Sequence, residues 1–149
     1  MNPNAPTGRP RRRPGKSPER GRNRREQLPT RQREFPVPAL EFEKKGPGRR
    51  PSVEALVERA IRERKIAAFQ YEGKFRVVEI HAFGAAAGQG DDIILGWQTG
   101  GFSRSGRLPG WRLFNVDRIS EFELAVQGFT PSPGQADNDP RFRKVTLKV

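Results

Sequence analysis

The sequence predicts a mainly β protein: a small SH3-like or Sm-like barrel with one N-terminal amphipathic helix, preceded by a disordered basic arm. Apolar residues follow a helical spacing only between residues 52 and 64. From residue 65 onward they alternate with polar residues in five or six short segments, and glycine-rich corners separate these segments. Short, bent strands of this kind are typical of small barrels, which close their own edges with few residues.

Residues 1–50 form the predicted arm. They hold 15 Lys or Arg and 5 Asp or Glu, a net charge of +10, whereas residues 51–149 hold 14 and 12, a net charge of +2. Nine of the 14 prolines also lie in the arm. The arm has so little apolar surface that burial would not offset the conformational entropy lost on ordering. We therefore expect disorder, although the apolar cluster at residues 35–42 favours an extended strap along the domain.

The positive charge of the arm predicts binding to a polyanion: nucleic acid, an acidic membrane or an acidic protein partner. Gly8-Arg9-Pro10 resembles the core of an AT-hook, which lies in the minor groove of A·T-rich DNA. Because the match is only three residues long, nonspecific phosphate binding is the stronger interpretation. The candidate contacts are Arg9, Arg11, Arg12, Arg13, Arg24 and Arg25.

The predicted helix runs from Ser52 to Arg64. Ser52 can accept a hydrogen bond from a free amide of the first turn, and Glu54 complements the positive end of the helix dipole. Apolar residues recur on one face of this segment, at Val53, Leu56, Val57, Ala60 and Ile61. We expect this single apolar face to cover one open end of the barrel.

Strands are predicted at residues 66–71, 75–83, 91–99, 111–115 and 120–126. The first two form a hairpin around Glu72-Gly73-Lys74, where glycine supplies the positive φ of a tight turn. The barrel domain is expected to span residues 51–130. Residues 131–149 form a C-terminal extension, and the alternation over residues 141–149 predicts an edge strand. Such an edge leaves pairing with a second copy of the chain or with a protein partner open.

The side chains available do not indicate catalysis. The chain has no cysteine and one histidine, His81, whose phase with Val77 and Phe83 favours a place in the core or at the barrel end. The sequence pattern does not bring together the three or more ligands that a metal site needs. We therefore expect no catalytic residues, no metal and no cofactor. No apolar run approaches the roughly 20 residues of a membrane-spanning helix, so we expect a soluble protein. The absence of cysteine fits a reducing compartment, and we expect a cytoplasmic protein without a membrane partner.

A glycine-rich loop at residues 100–107 is a candidate phosphate-binding segment. Arg104 and Arg107, two serine hydroxyls and free backbone amides could grip a phosphate there. An ordinary solvated loop has the same composition, so both interpretations stay open.

Three segments together resemble a WYL domain: the helix, residues 69–80 (FQYEGKFRVVEI) and residues 111–119 (WRLFNVDRI). The likeness covers residues 52–130 and lies in the order and spacing of a strand-ending tyrosine, a glycine turn, an Arg-Val-Val strand and an Asp-Arg-Ile element. The resemblance implies an Sm-like SH3 barrel that senses a ligand, in some members single-stranded nucleic acid or a nucleotide. It also implies control of transcription or of a defence system.

Two features depart from the family pattern. The chain has Ile93-Ile94-Leu95 where the family has Trp-Tyr-Leu, so only the leucine is retained. Residues 1–50 do not have the pattern of the helix-turn-helix domain that WYL regulators usually carry. Contact with DNA would therefore use the arm or the barrel, unless the chain acts as an accessory to another protein.

The resemblance implies a ligand site at Tyr71, Arg76 and Arg118, which we expect to converge on one partly open concavity. Guanidinium groups bind phosphate through paired hydrogen bonds, and a tyrosine can stack on a base, so these residue types suit a nucleotide or a strand end. Arg104 and Arg112, on the neighbouring loop and strand, are second choices.

Structural roles are the alternative for these residues: Asp117 and Arg118 would pair to fix a turn, and Tyr71 would belong to the core. At the level of function, the leading hypothesis is a non-enzymatic regulatory or accessory module that binds a nucleotide ligand, DNA or RNA, mainly through phosphate. The alternative is a protein-interaction module whose basic arm docks on an acidic partner, without ligand sensing. A nucleotide-processing enzyme is a third hypothesis, for which the sequence offers no candidate catalytic groups.

Overall fold

The computed structural model describes residues 33–88, 90–132 and 134–149. The candidate contacts in the first part of the arm lie outside the described residues, as do the AT-hook-like triplet and the disorder predicted for residues 1–32. Those contacts are Arg9, Arg11, Arg12, Arg13, Arg24 and Arg25. Across the described residues, no helix has the length and apolar character that crossing a membrane requires.

The described residues form one α-helix and seven strands. The elements are β1 (Arg33–Phe35), α1 (Val53–Glu63), β2 (Lys65–Tyr71), β3 (Lys74–Ala86), β4 (Asp92–Ser103), β5 (Gly110–Asn115), a 3₁₀ turn (Val116–Arg118), β6 (Ile119–Gly128) and β7 (Phe142–Lys148). Strands β2 to β7 follow the two-residue alternation seen in the sequence, and their ends differ from the predicted limits by a few residues at most, whereas β1 was not predicted as a strand.

The seven strands form one antiparallel sheet in the order β1-β4-β3-β2-β6, with β5 also paired to β4 and β7 to β3. The two longest strands change partner along their length: β3 pairs first with β2 and then with β7, and β4 pairs first with β5 and then with β1. Register shifts between β3 and β4 bend the sheet between these halves. The product is a curled half-barrel, so the predicted mainly β fold, a small barrel with one helix, is confirmed.

Helix α1 begins and ends with the side chain and backbone features that such a helix needs. Ser52 Oγ accepts a hydrogen bond from Ala55 N at 3.1 Å, and Arg64 ends the helix in the left-handed conformation, with a φ of 55°. The apolar face packs on the sheet, where Val57, Ala60 and Ile61 are buried. The face that meets α1 is called the inner face of the sheet below.

The main core lies between α1 and the inner face. Phe69 is at its centre, because its ring stands edge-on to Phe114 at 5.2 Å and stacks on Phe122 at 5.5 Å between ring centroids. A second, smaller cluster on the outer face contains Leu95, which points away from the core residue Ile94. Residues of the C-terminal extension complete this outer cluster.

The C-terminal extension is joined to the barrel by β7 and by a buried histidine. Close contact of β7 with β3 requires Gly84, since a Cβ atom there would lie 2.1 Å from Lys144 O. His81 is 3% exposed, its Nδ1 lies 2.9 Å from Glu79 O, and its Nε2 accepts a hydrogen bond from Ser132 N at 3.0 Å. Both ring nitrogens of this histidine therefore have partners within the fold.

Residues 36–42, called the strap below, cross the outer face before α1 begins. The chain enters the strap from β1, which pairs with β4, and leaves it at Phe42, which bridges Ala125 on β6 at the far side of the sheet. The small, buried outer-face residues Ala68 and Val77 lie between these two points. Residues 33–43 therefore contact the folded domain, as the extended strap predicted at residues 35–42 would, although the predicted arm extends to residue 50.

Candidate functional site

Polar side chains continue the inner face beyond the phenylalanine core. Arg76 on β3, Gln98 on β4 and Arg112 on β5 each lie an even number of residues from a core residue of the same strand. Because side chains alternate between the two faces of a strand, all three point to the inner face. Arg76 is 5% exposed, Gln98 is fully buried and Arg112 is half-buried. With Arg104 of the β4–β5 loop, the two arginines are called the arginine cluster below.

Arg76 and Gln98 share one acceptor, the carbonyl oxygen of Phe102. Gln98 Nε2 donates to it at 2.8 Å, and Arg76 Nη1 donates to it from the neighbouring strand. Gly101 permits this close packing, since its φ is +90° and a Cβ atom there would lie 2.3 Å from Phe75 O. The buried Nε of Arg76 and Oε1 of Gln98 have no hydrogen-bond partner in the described part of the chain. Buried polar atoms without partners are uncommon and point to a functional position.

Arg112 holds the β4–β5 loop against the sheet. Its Nη2 donates to Ser103 Oγ at 3.2 Å and to Arg107 O at 3.1 Å, and its Nη1 donates to Trp111 O at 2.8 Å. Its Nε is buried and also lacks a partner among the described residues. The guanidinium group is therefore fixed in position by neutral oxygens, which leave its positive charge uncompensated.

The electrostatics of the cluster are those of cations without a counter-ion. Burial lowers the pKa of Arg76; the carboxylate of Glu72 and the tyrosine Tyr71 oppose this shift, and the charges of Arg104 and Arg112 add to it. Within the described residues, no carboxylate lies in ion-pair contact with Arg76, Arg104 or Arg112. Like charges gathered beside buried polar atoms favour binding of an anion at this point.

Tyr71 lies beside the cluster and also belongs to the core. Its ring stands edge-on to Phe114 at 5.0 Å, and its hydroxyl accepts a hydrogen bond from Asn115 N at 3.1 Å. The guanidinium carbon of Arg76 lies 5.8 Å from the ring centroid of Tyr71, which is cation–π distance. Tyr71 and Arg76 are thus brought together as expected, but the tyrosine has structural contacts of its own.

Arg118 lies beside the turn that follows Tyr71, and its side chain forms an ion pair there. Its Nη1 lies 3.4 Å from Glu72 Oε2, and its carbonyl oxygen accepts a hydrogen bond from Glu72 N at 3.2 Å. More than half of its side chain is exposed. Arg118 therefore fixes the β2–β3 turn, with Glu72 in the partner role that the sequence suggested for Asp117.

Gln98 and Ser103 join the cluster without having been predicted from the sequence. The available signal was Gln98 itself, a polar residue in phase with the apolar positions of its strand. Such a residue at an inward position is a departure from the apolar pattern that marks a buried polar network. Ser103 carried no signal, because its contact with Arg112 depends on how β4 and β5 pair.

Comparison of the chain with family models, with curated proteins and with solved structures finds no match.

Proposed function

We propose that this chain is a non-enzymatic regulatory or accessory module that binds the phosphate of a nucleotide or of a single-stranded nucleic-acid end at the arginine cluster. The observation that carries the proposal is the pair Arg76 and Arg112: both are held on the inner face, and neither has a carboxylate partner among the described residues. A phosphate would supply the missing negative charge and would accept hydrogen bonds from guanidinium groups.

The three arginines have separate roles in this proposal. Arg76 is nearly inaccessible, so it raises the positive potential of the site and orients its neighbours. Arg112 is half-buried and held in place, while Arg104 lies exposed on the adjoining loop; these two would reach the phosphate oxygens. A charge held rigidly before binding loses little entropy when the ligand arrives, which favours affinity.

The start of the described chain supports the same ligand. Arg33 on β1 pairs with Ser103, whose hydroxyl accepts a hydrogen bond from Arg112. Residues 1–32, which precede this strand in the chain, hold 10 Lys or Arg and 2 Asp or Glu, a net charge of +8. A basic segment tethered next to a phosphate site raises the local concentration of a polyanion there. We propose that the arm contributes salt-sensitive backbone contacts to the ligand.

The WYL resemblance supports a sensing role in transcription or in a defence system, which we include in the proposal. In this chain Ile94 and Leu95 are core residues, one on each face of the sheet. The family's Trp-Tyr-Leu position is therefore used for packing here. Ligand contact would rest on the arginines and Tyr71.

The experiment is a fluorescence-anisotropy titration of the full chain with labelled single-stranded 12-mers that carry either a 5′-phosphate or a 5′-hydroxyl. We expect the phosphorylated strand to bind more tightly, and the double variant Arg104→Gln/Arg112→Gln to lose about 1.5–3 kcal/mol of binding free energy. The control, Arg62→Gln/Arg141→Gln, removes the same charge from exposed positions elsewhere. Equal losses in the two double variants would mean that only net charge matters, and would overturn the site.

Removal of residues 1–32 tests the role of the arm separately. We expect the dependence of log affinity on log salt to flatten, because fewer counter-ions are released on binding. The preference for the 5′-phosphate should persist, since the arginine cluster is unchanged. Loss of that preference with the arm would place the whole binding site in residues 1–32.

A further inference from the structure

A groove separate from the arginine cluster lies between α1, β6 and residues 43–51. Its volume is about 460 Å³, which falls within the range of roughly 300–1,000 Å³ found for ligand pockets. Neither the members of the arginine cluster nor Tyr71 line it. Binding in this groove would therefore be independent of the proposed phosphate site.

The floor of the groove is apolar. Val53 and Leu56 of α1 are half-buried there, while Phe122 and Leu124 of β6 belong to the main core and are 7% and 3% exposed. The groove thus reaches the edge of the core between the helix and the sheet. One large apolar side chain inserted here would be buried on contact and would act as an anchor.

The rim of the groove is basic. Lys44, Arg49 and Arg50 are exposed and form no ion pair with any described residue. Two of the carboxylates that line the groove, those of Glu43 and Glu123, are already paired with basic side chains. The rim therefore offers free positive charge to an occupant.

One acidic residue of the rim, Glu121, has no ion-pair partner among the described residues. Among the described residues, the rim thus has three basic side chains and one carboxylate that form no ion pair. The first turn of α1, which begins after Ser52, also opens toward this rim and adds the positive end of the helix dipole. Charge and shape together require an occupant that is both acidic and partly apolar.

We propose that this groove docks an acidic, amphipathic segment of a partner protein. An apolar side chain of that segment occupies the floor at Leu56 and Phe122, and its carboxylates lie against Lys44, Arg49 and Arg50. The positive net charge of residues 1–50 speeds the approach of an acidic protein from a distance. A nucleic-acid backbone would satisfy the cations but would leave the apolar floor uncovered, so the acidic segment is the better fit.

The test begins with selection of displayed random 12-residue peptides on the full-length chain. We expect enriched peptides to combine Asp or Glu with at least one Leu, Ile, Phe or Trp, and to bind in anisotropy titrations. Replacing that apolar residue of the peptide by serine should weaken binding by about tenfold or more, because the anchor is lost. This change is made in the peptide and leaves the fold of the protein untouched.

The matching change in the protein is Lys44→Glu/Arg49→Glu/Arg50→Glu, which should weaken peptide binding by about tenfold or more at low salt. The control Arg62→Glu/Arg143→Glu/Lys144→Glu reverses three exposed charges away from the groove and should weaken it much less. Thermal melts show whether each variant folds.

Three results would overturn the proposal. The selected peptides could lack acidic and apolar residues, or the two triple variants could lose equal affinity for the peptide. The third result is that a single-stranded 12-mer displaces the peptide and itself requires the groove cations for binding. The last result would assign the groove to nucleic acid. The groove test does not depend on the phosphate site, because the variants Arg104→Gln/Arg112→Gln should bind the peptide normally.

Discussion

Two groups of basic side chains in this domain are held in opposite ways. Beside α1, Arg59 and Lys65 surround the carboxylate of Glu43, with Arg59 Nη2 at 3.0 Å from its Oε1, and Arg59 also pairs with Glu63 at 2.7 Å. Beside the β4–β5 loop, Arg76 and the rest of the arginine cluster have only neutral oxygens as partners within the described residues.

The charges of the first group are balanced by ion pairs, whereas the second group has no ion-pair partner among the described residues. Hydrogen bonds from Lys65 and Arg59 lower the pKa values of Glu43 and Glu63, so this network is fully charged at neutral pH and ties the end of the strap to the helix. Burial lowers the pKa of Arg76, which means that the fold disfavours its charge. The anion that we propose to bind at the arginine cluster would offset this cost of burial.

The largest loss of stability should come from disturbing the close contact between Gly101 of β4 and Phe75 of β3, which positions the arginine cluster. Gly101→Ala places a Cβ atom 2.3 Å from Phe75 O at a φ of +90°, and we expect it to lower the free energy of unfolding by about 3 kcal/mol. Urea denaturation measures this. The control is Gly106→Ala, whose φ is also positive but whose Cβ would meet no atom within 4 Å. Similar losses for both variants would show that backbone strain alone matters.

The next prediction separates the contribution of Arg76 to ligand binding from its contribution to stability, and the expected effect is smaller. Arg76→Met should weaken binding of the 5′-phosphorylated strand by about 1 kcal/mol, because Arg76 acts on the phosphate through its charge and makes no direct hydrogen bond to it. Its unfolding free energy should change by less than about 1 kcal/mol or even rise, because an apolar side chain replaces an unpaired buried charge. A strongly destabilised Arg76→Met protein with unchanged affinity would assign Arg76 to the fold alone.

The third prediction concerns the ion-pair network of Glu43, Arg59, Glu63 and Lys65. Removing one of its charges should lower the free energy of unfolding by less than about 1 kcal/mol, since solvent screens these charges. Because the folded state lowers the pKa of Glu43, this contribution is present above the usual value of 4.5 and is lost as the pH falls below it. Glu43→Gln should therefore reduce stability at pH 7 and reduce it less at pH 3. A loss of equal size at both pH values would mean that the carboxylate charge contributes nothing.

The smallest predicted effect concerns His81 of β3, whose ring contacts the C-terminal extension at Ser132. Burial lowers the pKa of His81, and its hydrogen bond to Glu79 O opposes this shift. The contribution of the neutral ring to folding stability is therefore complete above the usual pKa of 6.5 and is lost as the pH falls. Protonation also removes the lone pair that accepts from Ser132 N. Burial raises the pKa of the neighbouring Glu79, which acts in the opposite direction as the pH falls toward 4.5.

Urea denaturation at pH 8 and pH 5.5 should show a loss of stability for the natural chain that His81→Phe does not share. Comparing the two chains cancels the contribution of Glu79, which both retain. The same pH dependence in both proteins would remove His81 as its cause.

The local pattern of apolar, polar and capping residues predicted most of the fold. The predicted helix at residues 52–64 and the predicted strands all have counterparts in the structure, because alternation and capping residues act within a few neighbours. The sequence placed residues 33–43 in the arm and indicated only an extended strap at residues 35–42, whereas the structure shows strand β1 and a bridge at Phe42. Their order depends on contacts with strands that lie more than 50 residues further along the chain.

The sequence predicted which residue types form the candidate site better than it predicted how these residues are arranged. Tyr71 and Arg76 do meet, and Arg104 and Arg112 share the electrostatic environment of Arg76. Arg118 instead pairs with Glu72 on the adjoining turn. A motif gives the order of residues in a strand or turn, but it does not give the partner that a long, flexible side chain selects.

By itself, the sequence determined the mainly β character, the single amphipathic helix and the concentration of positive charge in residues 1–50. These depend on periodicity and composition, which are properties of neighbouring residues. The tertiary structure alone decided that Arg76 is buried without an ion-pair partner among the described residues, that Gln98 shares its acceptor, and that a basic groove opens beside α1. Each of these follows from which strand edges pair and in what register, and that choice is made by the packing of the whole sheet.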